Sequence, residues 1–508
     1  MRPSQPFFQC ILLVSMMAVA AIIRPDASAA ELLAGAAKVD ITNREAGPVN
    51  DPLYAKALVL QSGQTRLVIV SLDVVAVGEI GHIPNSYLPS VRAALAKEMN
   101  LPPEHLLVNA SHCHGVPCKD VDQLTVQVIQ QAVARLTPVR VGVGVGHEDR
   151  IMENRRLKLK NGREIDVRHA YSMPADEEVA EIGPIDPQIG VIRLDSVAEP
   201  QRTVAVLYNF ACHPIQGVPS GGNTADLTGF ASQVIEDNLS EGAVALFLQG
   251  CGGDINPVRY KDVNQPRDGE TLGNMLGLST LRALRKIAPG DDTRLQIVAE
   301  KVALPRADTA HRIVALETEQ QRLLMSLQGT TLNLKSFLPL IVRYQLDREF
   351  PSYYSHRYLH ERELGRNDLA RMDAENRKAM AAYMANIQVM EQLTQVQTNL
   401  ALLKKHQLQN LEATSRMIDV EVLGIRLGEA ALVTFPGELT VRIGLNIKAK
   451  SPHPRTFVSA YSNGYIYYAP TSDQLRNVGS AQEDSDCILA PEWQAIYEQS
   501  VEEILKRL

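Results

Sequence analysis

Residues 203–214 read Thr-Val-Ala-Val-Leu-Tyr-Asn-Phe-Ala-Cys-His-Pro. The run is β-branched and aromatic, so Thr203–Phe210 is expected to be a strong buried strand. It ends on Cys212, His213 and a proline, which has no N–H to donate to a ladder. A strand that stops on a group able to hold a metal or move a proton recurs elsewhere in the chain. Comparable runs are Leu67–Leu72, Leu106–Ala110, Val141–Val145, Ala243–Leu248, Ala430–Phe435 and Thr456–Tyr461. Amphipathic windows lie between them at Leu88–Met99, Leu124–Leu136, Phe230–Leu239 and Leu272–Ile287. Strands alternating with helices predict an α/β fold, a layered mixed sheet with helices on it. Strand order stays open.

The segment from about residue 309 to 411 follows a different period. Ile313, Leu316, Leu323 and Leu327 suit one helix; Met380, Met384, Ile387, Met390, Leu393 and Leu400 suit another. Two long helices packed as a hairpin, inserted into one α/β domain of residues 31–508, is the simplest reading. The stretch between them carries Phe350, Tyr353, Tyr354 and Tyr358. It suits a cap over a pocket or a partner surface, and equally an exposed tip that only packs.

The 508 residues are 45% hydrophobic and 21% charged, ordinary for a folded protein. A formal net charge of −7 argues against a nucleic-acid binder. No block of like charge stands out as a polybasic membrane tether. Arg2 precedes an apolar run from Phe7 to Ile23, then Arg24-Pro25-Asp26 and the small-x-small Ala27-Ser28-Ala29. This is the pattern of a signal peptide over residues 1–30, so the mature protein is expected to be exported, periplasmic or secreted. Of six cysteines, Cys10 falls in that leader, and the five remaining cannot all pair within the chain. Cys113 and Cys118 suit a bridge in an oxidising compartment. Cys212 and Cys251, at apolar strand ends, read as buried free thiols.

Four strand ends carry candidate chemistry. They are His112 and His114 after Leu106–Ala110, His213 after Thr203–Phe210, Glu438 after Ala430–Phe435, and Tyr465 with Tyr468 after Thr456–Tyr461. Strand ends in α/β sheets open onto a crevice, where such groups can gather. In an extended segment His112 and His114 point to one side. One can bind metal while the other works on substrate, or both can bind. The turn Gly250-Cys-Gly-Gly253-Asp254-Ile-Asn256-Pro257 reads as a pocket wall, or as a tight turn whose Asp254 caps the next segment. Asp226 or Thr228 reads as the N-cap of the helix that follows.

Taken together, these pieces resemble the catalytic domain of the neutral, non-lysosomal ceramidases. The matching motifs are Ala36-Ala-Lys-Val-Asp40-Ile-Thr42, Ser111-His-Cys-His-Gly115, Asn154-Arg155, Asn209-Phe-Ala-Cys-His213-Pro, Ala225-Asp226-Leu-Thr-Gly229, Gly253-Asp-Ile-Asn-Pro257, Phe435-Pro-Gly-Glu438 and Asn463-Gly-Tyr465-Ile-Tyr-Tyr468. They occur in the family's order across most of the chain. The resemblance implies one catalytic Zn2+ held by His112, His213, Glu438 and Tyr468, with Tyr465 as the alternative tyrosine. It implies an acid–base role for His114 and a substrate-facing Arg155, with Asp254, Asn256 and Tyr465 about the pocket. The implied reaction is hydrolysis of an amide, in an N-acyl lipid or ceramide-like substrate, by a metal-activated water.

The departures bear on the substrate. Asn256 stands where the family has serine. A second tyrosine beyond Tyr468 is missing from the stretch Gly479-Ser-Ala-Gln-Glu483, and Val116-Pro117-Cys118 replaces further glycines. The chain ends at Leu508, where the resemblance implies that the catalytic part ends, without the C-terminal sandwich domain of full ceramidases. An exported zinc esterase of another substrate, or a non-catalytic binding protein on the same scaffold, are the alternatives. Peripheral membrane contact is compatible with a lipid amide; the oligomeric state is not legible.

Overall fold

The computed structural model describes residues 31–168, 173–217, 222–258, 268–346, 355–477, 479 and 481–508. The expected leader at 1–30, and Phe350, Tyr353 and Tyr354 of the insertion, lie outside these residues.

Eight strands form one mixed sheet. Their spatial order is Val244–Gln249, Thr203–Phe210, Gln188–Ser196, Thr137–His147, Leu32–Asp40, Tyr54–Ser62, Thr65–Leu72 and Leu106–Ala110. The two outermost pairs are parallel and the interior is antiparallel. The sheet curls enough to bring its first strand onto its other half. Ser71 Oγ donates to the Phe247 carbonyl at 2.7 Å, and Lys56 Nζ to that of Ala245 at 3.0 Å. A second sheet, Leu295–Pro305, Met417–Leu427, Ala430–Thr434 and Arg455–Ser459, joins the first around an apolar core. Leu58, Ile69, Leu194, Leu246, Leu432 and Phe457 fill it. Helices Tyr87–Met99 and Val121–Val133 bury one outer face of the large sheet, and Asp226–Asp237 and Gly269–Leu284 cover another.

The architecture is the expected α/β layering, with more antiparallel strand than the β-branched runs reveal. Leu32–Asp40 (LLAGAAKVD) is rich in alanine, a poor strand former. The small residues are there for packing. A Cβ on Gly35 would lie 2.1 Å from the Ala132 carbonyl, so the helix Val121–Val133 rests directly on this strand. Asp226 is not an N-cap but a first-turn residue at φ +55°; its carboxylate accepts from Gly217 N and Leu227 N. Thr228 Oγ1 donates to the Ala225 carbonyl instead of capping. The five cysteines of the described region are free thiols, so the Cys113–Cys118 bridge is not formed. Cys113 is fully buried, whereas the Cys118 N–H pairs with the Ile41 carbonyl.

The insertion leaves the second sheet between paired residues, Pro305 and Met417. It holds four described helices rather than a simple hairpin: Ala310–Ser326, Leu334–Leu346, Ser355–Glu363 and the 45-residue Asp368–Glu412. Gly329, Thr330 and Thr331 interrupt the first arm, where helix propensity is poor. Gly365, at φ +69°, follows the end of Ser355–Glu363. Leu323, Val396 and Leu400 seal the base of the bundle; Phe337, Tyr344 and Met380 seal a second cluster. Its outside keeps Met325, Leu346 and Leu411 in solvent. At its base a cleft of about 1170 Å³ opens toward Leu159, Met173 and Asn477, apart from the strand ends described next.

Candidate metal centre

Two buried asparagines gather the strand ends. Asn109 accepts from Gln249 N at 2.8 Å and donates to the Ala460 carbonyl at 2.6 Å. Asn209 donates to the Leu248 and Val458 carbonyls at 2.9 and 3.0 Å. Each ties strands far apart in sequence, and the residues that follow those strands face one another.

His112 sits at φ +70°, its N–H on the Val74 carbonyl. Its Nδ1 donates to the Val75 carbonyl at 2.6 Å. The Nδ1 of His213 donates likewise to the Ile255 carbonyl at 3.0 Å. A carbonyl can only accept, so both imidazoles hold their proton on Nδ1 and present a bare lone pair at Nε2. Glu438 completes the set: Oε2 is 3.1 Å from His213 Nε2, and Oε1 is 3.6 Å from His112 Nε2. The ligand atoms of His112, His213 and Glu438 lie within 4.8 Å of one another, all buried.

Electrostatics leaves this cluster incomplete. Burial pushes His112 down to about 4, and burial with the Arg155 charge lowers His213. Glu438 is held below the usual carboxylate range, against the effect of burial, with the Tyr465 hydroxyl donating to it. Two neutral nitrogens and a carboxylate therefore aim lone pairs at one point. A cation there resolves the repulsion. Two imidazoles, a carboxylate and a neighbouring phenol are a donor set that fits zinc. Histidines whose far nitrogen is fixed on a carbonyl are the usual supporting arrangement around such a metal.

Tyrosines surround the carboxylate. Tyr465 donates to Glu438 Oε1 at 2.5 Å and Tyr461 to Oε2 at 3.1 Å, with the Tyr461 ring 4.3 Å from that of His112. Tyr468 lies opposite Glu438 in a short parallel pairing, and its hydroxyl is 3.5 Å from His213 Nε2. Burial raises its pKa, opposed by the charges of Arg168 and Arg155. His114 is exposed, its ring edge-on to His112 at 5.8 Å.

Arg155 is buried and already engaged. Nε donates to Glu483 at 2.7 Å, Nη1 to Asn256 at 2.9 Å, and Nη2 to the Gly253 carbonyl at 2.6 Å and the Tyr468 hydroxyl at 3.2 Å. It faces Tyr468 rather than open space, and Asn256 serves as its acceptor. Asp254 does not line a pocket. It is 1% exposed, accepts from Val441 N at the start of helix Val441–Lys450, and is bonded by Asn154. The sequence offered only the next segment as its capping target; the helix it bonds lies 187 residues on.

Three residues of the site escape a reading by motif. Tyr461 ends the run Thr456–Tyr461, so attention to strand ends reaches it once the run is seen to stop there. Glu483 lies in the stretch that lacks the family tyrosine. It accepts from Arg155 and, at 3.0 Å, from Arg168, whose guanidinium stands 5.1 Å from the Tyr468 ring centre. Nothing local distinguishes Arg168.

No family model matches the sequence, and no curated protein aligns with it. Solved structures that share its fold include two ceramidases. One is a neutral ceramidase from Pseudomonas aeruginosa, with TM-score 0.59 and 17% identity over 94% of this chain and 75% of that one. The other is a ceramidase complexed with C2, with TM-score 0.58 and 17% identity over 94% and 76% of the two chains.

Proposed function

We propose that the chain is a zinc-dependent hydrolase that cleaves an amide bond, in an N-acyl lipid or ceramide-like molecule. The observation that carries this reading is the convergence of two bare Nε2 lone pairs and the Glu438 carboxylate on one buried point. The fold shared with ceramidases supports the amide as the bond attacked.

His112, His213 and Glu438 would hold the ion, with Tyr468 as fourth ligand. Zinc so held supplies a Lewis acid and brings the pKa of a bound water to about 7. Tyr461 and Tyr465 fix the carboxylate, and Arg155 fixes the Tyr468 hydroxyl. Arg155 is thus a positioning residue. His114, exposed beside His112, would pass a proton to the leaving nitrogen, a step typically worth about 10²–10⁴-fold. The leader-like residues 1–30 support export before the enzyme acts. A hydrolase of a polar exported substrate is the second reading, favoured by the charged groups around Tyr468.

Zinc per chain is the deciding measurement, on the wild type and on His213→Ala. The reading expects about one zinc in the first and little in the second. A folded, metal-replete wild type without zinc overturns it.

A further inference from the structure

The wall of the centre beside Tyr468 is charged, although a wholly neutral lipid amide would give buried charge nothing to bind. Arg155 and Arg168 both stand over the Tyr468 ring, with guanidinium carbons 5.7 and 5.1 Å from its centre. Glu483 Oε1 lies between them and accepts from both. The two arginines differ in what remains. Every nitrogen of Arg155 has a protein acceptor. Arg168 spends only Nη2, on Glu483. Among the described residues nothing accepts from its Nε, which is buried. Asp166, the next nearest acid, turns its two oxygens to the backbone N–H groups of Arg168 and Gln482. A buried guanidinium N–H without an acceptor is costly, and more so than a neutral one. It is an arrangement for a ligand that brings the acceptor.

We infer that Arg168 reads a carboxylate on the substrate, so that the preferred amides are N-acyl amino acids, with the carboxylate on the amine half. This rests on the hydrolase reading and names its substrate class. The free, buried Nε–H matches an oxygen of a carboxylate. Glu483 already offsets part of the positive charge, so a dianionic phosphate finds too little compensation here. The carbon next to the amide nitrogen is a suitable place for the carboxylate. Arg168 stands against the ring of Tyr468, whose hydroxyl is 3.5 Å from His213 Nε2. Removing Arg168 leaves Glu483 paired with Arg155, so the variant is expected to fold.

The test uses the zinc-loaded full chain with N-lauroylglycine, N-lauroylethanolamine and the O-phosphate of the latter. Wild type is expected to favour N-lauroylglycine in kcat/KM by about tenfold or more, the scale of a charge-assisted hydrogen bond. Arg168→Met loses that preference through KM, the ratio between the two amides falling toward one, while Arg168→Lys restores part of it. Equal losses on both amides, or no preference in wild type, overturn the inference; a preference for the phosphate overturns the carboxylate. If no amide is cleaved, it is the hydrolase reading that falls. Calorimetric titration of the same amides then tests the subsite. Tighter binding of N-lauroylglycine, lost in Arg168→Met, supports it, and equal binding of both amides overturns it.

Discussion

The Tyr465 hydroxyl donates to Oε1 of Glu438 at 2.5 Å, while the Tyr468 hydroxyl is held by Arg155 at 3.2 Å on the side of His213. The two phenols therefore have different work: one orients a ligand and the other is free to be one. Zinc added to the metal-free protein should produce the ultraviolet difference spectrum of a tyrosinate. Tyr465→Phe should keep that signal and bind zinc about 10- to 100-fold more weakly, as expected for a partner of a ligand. Tyr468→Phe should lose it. The reverse pattern would make Tyr465 the ligand.

Asn109 bonds the ends of two other strands, and replacing it with leucine leaves the Gln249 N–H and the Ala460 carbonyl without it. A buried donor stripped of its acceptor costs about 1–3 kcal/mol. Asn109→Leu should lower the urea midpoint accordingly and weaken zinc binding, because His112 and Tyr461 lie just beyond the tied ends. A midpoint and affinity equal to wild type would mean that the asparagine only fills space.

Acid should destabilise the metal-free protein earlier than a fold of this size would require. Folded His112 stays neutral down to about 4, against an ordinary 6.5 in the unfolded chain. Between those values the unfolded chain binds the extra proton, so stability rises with pH across the window. The contribution is complete above about 6.5 and is lost as pH falls toward 4. Urea midpoints from pH 7 to pH 5 should fall more steeply for wild type than for His112→Asn. Parallel slopes would show that His112 is not held neutral.

Gly253 has no room for a side chain: a Cβ there would lie 2.7 Å from the Glu438 carbonyl and 2.9 Å from that of Leu439. Both are backbone atoms that cannot step aside cheaply. Gly253→Ala should cost about 1–3 kcal/mol of stability and shift Glu438 off the metal point. Zinc titration of the folded variant checks this, and wild-type affinity would refute it.

How much of this is legible in sequence depends on the range of each interaction. Thr203–Phe210 declares itself because burial on both faces selects β-branched and aromatic residues, and His213 follows from where that run ends. Leu32–Asp40 is hidden because a helix presses on it and selects alanine and glycine instead. The convergence of His112, His213 and Glu438 was an inference from strand ends and from the family resemblance. The geometry brings them together through Asn109 and Asn209, whose partners no local pattern reveals. Arg168 and Glu483 are 315 residues apart and meet only in the fold. Asp254 misleads for the same reason: a carboxylate in a glycine turn resembles a pocket residue until the distant helix it bonds is seen.

The helical tower springs from the sheet between Pro305 and Met417, which face each other across one ladder step. Topologically it is an overgrown hairpin loop, and the sheet beneath takes no account of its size. A lineage can lengthen, shorten or trade such a tower in one recombination event while the strand ends that gather the ligands stay in register. The centre and the tower are in this sense separately heritable, save where His406 of the long helix packs on Tyr467, next to Tyr468.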